Sequence, residues 1–493
     1  MTFNSLTFLV FFPICLFLYM VVPAKMRVYL LLAASIIFYM CWNPVYILLL
    51  LFCILVTYSF AIFISRAADK KQKRILMAAG LILNFSVLFV FKYFNFFGDT
   101  INRFIPGLIP SSDLLLPVGI SFYTFQAVGY LIDVYRGDAP EKNIFRYSLF
   151  VSFFPQLVAG PIERSSNLLK RIRELDTKGT ADIFDFRKGA FIMLYGYFMK
   201  MVIADRAAIL VNTVYDPERY TEYAGFSVLL AAVLFSVQIY CDFAGYTYIA
   251  IGAARMLGIT ICENFNTPYL STGIRDFWDR WHMSLTGWFR DYLYFPLGGS
   301  RKGLFRKYVN IMIVFILSGL WHGASWHFVF WGLLHGVLRV TEEVLTGITG
   351  RIREKTRRIV NAPADDISRN IFKCIVNFFV VTVCWMFFRA ESIDQAFVLI
   401  KNMFTGLRPW QLTDGSLLAL GLDAKEINVL FFAGLIMFVI DMAKRLGRDV
   451  SSFFAKRSEL AQSFVILLGI VFIVIFGVYG KEYDAAAFIY FQF

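Results

Sequence analysis

Long apolar blocks alternate with short polar connectors along almost the whole chain. The blocks fall near residues 5–23, 28–42, 44–65, 75–97, 114–135, 144–160, 189–204, 224–250, 308–322, 326–340, 370–388, 427–443 and 463–480. A hydrocarbon core of roughly 30 Å takes about 20 helical residues to cross, so the pattern predicts an all-α, polytopic membrane protein. The connectors "RAADKKQKR" (66–74), "RSSNLLKRIRELDTKG" (164–179), "RKGLFRK" (301–307), "RIREKTRR" (351–358) and "KRLGRD" (444–449) concentrate Lys and Arg and are expected in the cytoplasm. Loops 98–113, 205–223 and 409–426 and the tail 481–493 carry fewer basic residues and are expected outside. The opening "MTFNSLTFLVFFPICLFLYMVV" lacks a basic leader and reads as a retained first helix.

Alternation fails in two places. Segment 144–160 has basic flanks on both sides and contains "FFPQLVAGP", where Pro155, Gly160 and Pro161 interrupt a helix; it is expected to enter and leave on one side. The pair 308–322 and 326–340 also begins and ends inside, as a hairpin with "WHGAS" at its tip. Irregular backbone at membrane depth is tolerated only beside protein or a water-filled cavity, so both exceptions predict a cavity. Between them, "DFWDRWHMSLTGWFRDYLYF" sets Trp278, Trp281, Leu285 and Trp288 at helical 3-4-3 spacing, which predicts one helix with an apolar face. Such a helix either lies in the membrane interface or lines the cytoplasmic mouth of the cavity. Absence of an inverted pair of broken helices argues against a secondary transporter.

Composition sharpens this picture. Of 493 residues, 58% are hydrophobic, 18% aromatic and 17% charged, and the mean hydropathy is +0.63. The net charge of +13 resides in the connectors, which points to membrane orientation rather than nucleic acid. Seven cysteines form no C-x-x-C pair and read as core filler.

Three of the four histidines, His322, His327 and His335, sit in the apolar stretch "ILSGLWHGASWHFVFWGLLHG"; the fourth is His282. An ionisable group within a span is a functional hypothesis by default. From Lys307 the helix climbs roughly 22 Å to His322, well past the midplane, where it can be served from both sides. His322 and His327 are five apart rather than four, and no acidic or cysteine cluster accompanies them, so no metal is expected. The absence of a G-x-S-x-G elbow removes the usual serine nucleophile. A lone imidazole suits general-base chemistry. Gly319 and Gly323 beside it permit close approach of another chain or a substrate, while His327 and His335 read as packing residues.

The stretches "LPVGISFYTFQAVGYLIDVYRG" (116–137), "FFPQLVAGPIER" (153–164), "KMVIADR" (200–206), "QIYCDFAGYTYIAIGAARMLGI" (238–259), "NFNTPYLSTGIRDFWDRWHMSLTGWFRDYLYFPLGGSR" (264–301), "GLWHGASWHFVFWG" (319–332), "FFRA" (387–390) and "FIYFQF" (488–493) occur in that order. In them the chain resembles the membrane-bound O-acyltransferases, in particular the bacterial branch that modifies alginate with acetyl groups or teichoic acid with D-alanine. The resemblance implies one membrane domain over 1–493, with core motifs at about 116–340 and peripheral helices at 1–97 and 370–493. It implies a ring of about 11–13 helices and re-entrant segments around a central funnel, in a bacterial cytoplasmic membrane.

The resemblance places the family's catalytic histidine on His322, in "LWHG", and its second histidine on His282. His322 would deprotonate an acceptor hydroxyl for attack on a thioester, either acetyl-CoA or an acyl carrier protein, with no bound cofactor or metal. The acceptor would be an extracytoplasmic polysaccharide or a relay acyltransferase protein, reached from within membrane lipid. Arg275, Arg280 and Arg290 are candidates to meet donor phosphates. Asp276, Trp278, Trp281, Ser284, Trp288 and Trp321 complete the candidate donor and substrate site. Chain length and the ending "FIYFQF" favour acetyl transfer; D-alanyl transfer, or a channel or flippase in which His322 gates without chemistry, stay open.

Overall fold

The computed structural model describes residues 1–158, 160–177, 182–357 and 367–479. The "FIYFQF" motif and the tail from 481 lie outside these residues, as does Arg358 of the basic connector 351–358. Among the described residues the chain is helical, with turns and no strand. Seven helices are long and apolar enough to cross a membrane: Pro44–Arg66, Lys70–Asn102, Phe226–Met256, Leu304–His322, Ile367–Arg389, Ala424–Arg445 and Glu459–Phe476. Each coincides with an apolar block of the sequence, and Leu6–Val21 is a shorter apolar helix.

Six of the seven keep most of their apolar span uncovered by protein, as helices facing lipid must. In Phe226–Met256, by contrast, 67% of the span is buried. This central helix of 31 residues, about 46 Å long, packs against Ile183–Tyr197, Asp205–Val214 and Ile367–Arg389. Glycines set how closely. A Cβ on Gly252 would stand 2.6 Å from the Gly189 carbonyl oxygen, and one on Gly196 would stand 2.6 Å from that of Gly245. Two glycine pairs, each seven residues apart, thus bring Ile183–Tyr197 into backbone contact with the central helix.

The two irregular segments are compact. Ile144–Ser152 has nine residues, about 14 Å, and the turn Phe154–Leu157 follows with Pro155 in its first turn, so neither crosses a 30 Å core. Leu304–His322 (the histidine helix) turns at Gly323–Ser325 into Trp326–Arg357 (the return helix). Here Gly319 faces the Phe328 carbonyl oxygen, Gly332 faces that of Phe315, and Gly323 faces the Phe328 ring. The close approach that these small residues permit is therefore made by the return helix itself.

The stretch 274–289 departs from the sequence expectation. It is two short helices, Ile274–Trp278 and Met283–Phe289, rather than one. His282 breaks it, held at φ +43° and ψ +52° while the Met283 amide donates to the Asn264 carbonyl and the Asn266 amide to that of Arg280. A tertiary clasp overrides the helical periodicity.

Two apolar clusters fill the interior. The larger runs from Phe3 to Ile473, and the smaller gathers Phe122, Phe125, Leu285, Trp288, Phe289, Tyr292 and Trp321. Both His282 and His322 lie on the seam between them.

Candidate active site

Trp321 organises the site. Its ring centroid is 5.0 Å from that of His322 and 5.9 Å from that of His282, so the two histidines share one indole. His322, buried at the C-terminal end of its helix, also meets Trp331 at 5.1 Å and Phe388 at 5.5 Å. Phe122 stacks on His282 at 6.3 Å, and Phe243 meets it edge-on at 4.7 Å. His282 is 1% exposed, and among the described residues neither of its ring nitrogens has a hydrogen-bond partner. Buried polar atoms are nearly always paired, and a left-handed backbone in a non-glycine residue costs energy. His282 carries both features.

A pocket with about 40 Å³ of free space opens beside His322 and Trp321, with Lys92, Gly119, Ser121, Phe122 and Val158 completing its wall. That is room for a few waters but not for a substrate. Gly119 is required there. Its φ is +75°, and a Cβ would lie 2.6 Å from the Leu157 carbonyl oxygen.

Lys92 is the residue that the sequence reading passed over. It interrupts an otherwise apolar block, which is a visible signal. Its Nζ donates to the carbonyl oxygens of Trp321 (2.7 Å) and His322 (3.1 Å) and lies 3.4 Å from Ser121 Oγ.

The other candidates separate into groups. Ser284 accepts the Ile162 amide at 3.0 Å and donates to Asn264 Oδ1 at 2.6 Å, fastening the "GPIER" loop to the backbone that bends at His282. Trp278 donates to His335 Nδ1 at 3.3 Å and packs on Trp331. Trp281 is fully buried among Tyr240, Phe265, Phe277 and Trp385. Trp288 stacks on Phe125 at 4.0 Å and donates to its carbonyl. His327 Nδ1 pairs with the Phe387 carbonyl at 3.1 Å. None of Trp278, Trp281 and Trp288 sits at an open mouth.

The three arginines are not brought together. Arg275, with 72% of its side chain exposed, lines a cleft with Arg339 and four carboxylates, Asp276, Asp279, Glu342 and Glu343, and Arg280 meets that cleft only through Asp276. Arg280 is bound to Asp276 at 2.6 Å. Arg290 instead belongs to a second cluster around Tyr292, whose hydroxyl donates to Asp133 at 2.6 Å. Arg164 lies over the Tyr292 ring at 4.3 Å and Arg136 at 5.0 Å, while Asp291 takes Arg164 at 3.0 Å and Arg290 at 3.1 Å. Three arginines stand here among three carboxylates, Asp133, Asp291 and Glu163, the last lining the same recess as Arg164. Among the described residues no group of three or more His, Cys, Asp and Glu side chains is arranged to hold a metal ion.

Comparison with known proteins agrees with this architecture. The profile of the membrane-bound O-acyltransferase family matches residues 142–385, which include both histidines. A probable alginate O-acetylase of Azotobacter vinelandii is 36% identical over 424 residues, covering 84% of this chain and 80% of its own length. The peptidoglycan O-acetyltransferase of Helicobacter pylori is 33% identical over 398 residues, covering 76% of this chain and 73% of its own length. The teichoic acid D-alanyltransferase of Bacillus subtilis is 33% identical over 238 residues, 46% of this chain and 59% of its own length.

Proposed function

We infer the reaction from a family now fixed: the chain belongs to the membrane-bound O-acyltransferases and is a multi-pass membrane acyltransferase. In our reading it moves an acetyl group from a cytoplasmic thioester, acetyl-CoA or an acylated carrier protein, to a hydroxyl of an extracytoplasmic glycan, directly or through a relay protein. The membrane is the bacterial cytoplasmic one. The observation that carries this reading is the placement of His322 and His282 on one indole, beside a pocket, at the seam of the interior. His322 is the base that takes the hydroxyl proton, and His282, with both nitrogens unpaired, holds substrate. Arg136, Arg164 and Arg290, gathered around one tyrosine ring, suit the phosphates of a donor better than Arg275, which shares its cleft with four carboxylates. Coverage supports acetyl over D-alanyl transfer, since the O-acetylase match spans 84% of the chain and the D-alanyltransferase match 46%.

The test is His322→Gln, which keeps size and hydrogen bonding but accepts no proton near neutrality. Acetyl transfer from a thioester to a soluble sugar is expected to fall at least about 10²-fold at normal membrane abundance. Full activity in that variant sinks the assignment of the base.

A further inference from the structure

Two lysines lie deep within apolar helices, and both occupy π turns: Lys92 in Phe89–Tyr93 and Lys200 in Phe198–Ala204. Single π turns recur at functional sites. The two lysines are treated differently. Lys200 is neutralised by carboxylates, with its Nζ 2.8 Å from Asp205 and 2.7 Å from Asp242. Lys92 has no carboxylate within ion-pair distance among the described residues; its contacts are the last carbonyls of the histidine helix, Ser121 and the Trp321 ring at 5.9 Å. Helix C-terminal carbonyls carry about half a negative charge in sum, enough to hold an ammonium but not to cancel it. The ammonium has three N–H groups. Two serve the Trp321 and His322 carbonyls, and the third makes only a long bond of 3.4 Å to Ser121 Oγ, on the side where Ser121, Gly119 and His322 line the pocket, which a stronger acceptor there can replace. A charge kept in a membrane interior without a counter-ion is expensive, and negative charge that develops only during reaction is what it can best serve.

We propose that Lys92 is a catalytic residue of acyl transfer, donating from its ammonium to the oxyanion that forms next to His322. This rests on the reading of His322 as the base. The acceptor oxygen bonds to the thioester carbonyl carbon as its proton passes to the His322 imidazole, and the carbonyl π pair moves onto oxygen beside Lys92. That pair then returns, the C–S bond breaks, and the departing thiolate takes the proton from the imidazolium. Lys92 keeps its proton throughout.

The experiment uses the full-length chain in nanodiscs, with an acetyl thioester, a soluble hexose acceptor and, as inhibitor, the methylphosphonate monoester of that hexose. The phosphonate is tetrahedral and anionic, like the intermediate. Lys92→Gln retains hydrogen bonding to the helix carbonyls without the charge. It is expected to lower kcat by about 10²- to 10³-fold, with little change in KM for the thioester, and to weaken phosphonate inhibition by a similar factor. Lys92→Arg, which keeps the charge, is expected to retain most phosphonate affinity, and it serves as the reference if Lys92→Gln does not reach the membrane. In that case an arginine variant that binds the phosphonate no better than the neutral hexose overturns the proposal. So does a folded Lys92→Gln protein with wild-type phosphonate inhibition, because loss of kcat alone would then mark a structural clamp. His322→Gln is run in parallel: its activity tests the base, whereas the phosphonate affinity of the Lys92 variants tests the charge, and either can fail alone.

Discussion

His282 and Trp281 are neighbours in different surroundings, His282 on the seam beside Trp321 and Trp281 deep among aromatic rings. Trp281 is surrounded by the five aromatic rings of Tyr240, Phe265, Tyr269, Phe277 and Trp385, so its contribution is packing. Trp281→Ala is expected to destabilise the protein by about 3–5 kcal/mol, the usual cost of removing a buried aromatic side chain. Arg164→Gln is expected to do the reverse: melting stays near wild type while KM for the thioester rises about tenfold, as the arginine cluster loses a bidentate phosphate partner. Thermal melting in detergent and steady-state donor kinetics separate the two effects. Equal effects of both variants on donor KM would move Trp281 back to the donor path. At this scale the histidines were legible because ionisable groups are rare in apolar blocks. Lys92 carried the same signal inside 75–97, but a lysine there blends with the basic residues that flank spans. Only the folded chain shows its partners, the Trp321 and His322 carbonyls and Ser121 Oγ.

Among the elements, span positions were readable because thickness alone fixes them, and the breaks at "FFPQLVAGP" and "WHGAS" were readable because proline and glycine act locally. Three features depend on tertiary contact and left little local trace. The bend at His282 needs the Asn264 carbonyl, the π turns at Lys92 and Lys200 need neighbours to accept their widened backbone, and Ile393–Thr405, capped by Ser392, falls in a stretch assigned to no element. The glycine pairing of Ile183–Tyr197 with the central helix is intermediate: seven-residue spacings at Gly189 and Gly196 and at Gly245 and Gly252 are visible, but their partnership is not. That pairing predicts a sharp response to size. Gly252→Ala places a methyl group 2.6 Å from a backbone oxygen, so the helices must separate. A loss of about 1–3 kcal/mol is expected, the ordinary cost of overpacking. Gly347→Ala, with nothing within 4 Å of its added carbon, is the control. Identical melting of the two variants would mean that the two helices are not held in backbone contact.

For the whole molecule, orientation decides whether the chemistry joins the two sides of the membrane. Basic connectors and helix lengths give a specific arrangement. The connector 301–307 lies at the foot of the histidine helix, whereas Lys92, His322 and the pocket lie at its other end, 19 residues or roughly 28 Å away; the Arg164 and Arg290 cluster reaches the pocket wall through the adjoining rings of Tyr292, Trp288, Phe125 and Trp321. If the positive-inside rule holds here, the donor arrives at the foot and the acceptor at the head. Segment 144–160 must then return to the side from which it came, because a nine-residue helix and a four-residue turn are too short to cross. Single cysteines in a background lacking the exposed Cys41 test this directly. With a membrane-impermeant maleimide on intact cells, Ile105→Cys and Leu418→Cys are expected to label, since both side chains are exposed and lie in loops poor in Lys and Arg. Lys71→Cys and Arg306→Cys are expected to label only after the membrane is opened. Lys142→Cys and Arg171→Cys, on either side of the interrupted segment, are expected to behave alike and as cytoplasmic. Labelling of one of that pair from outside and the other from inside would make the segment a true span. It would also reverse every helix after it, placing the arginine cluster on the same side as the glycan.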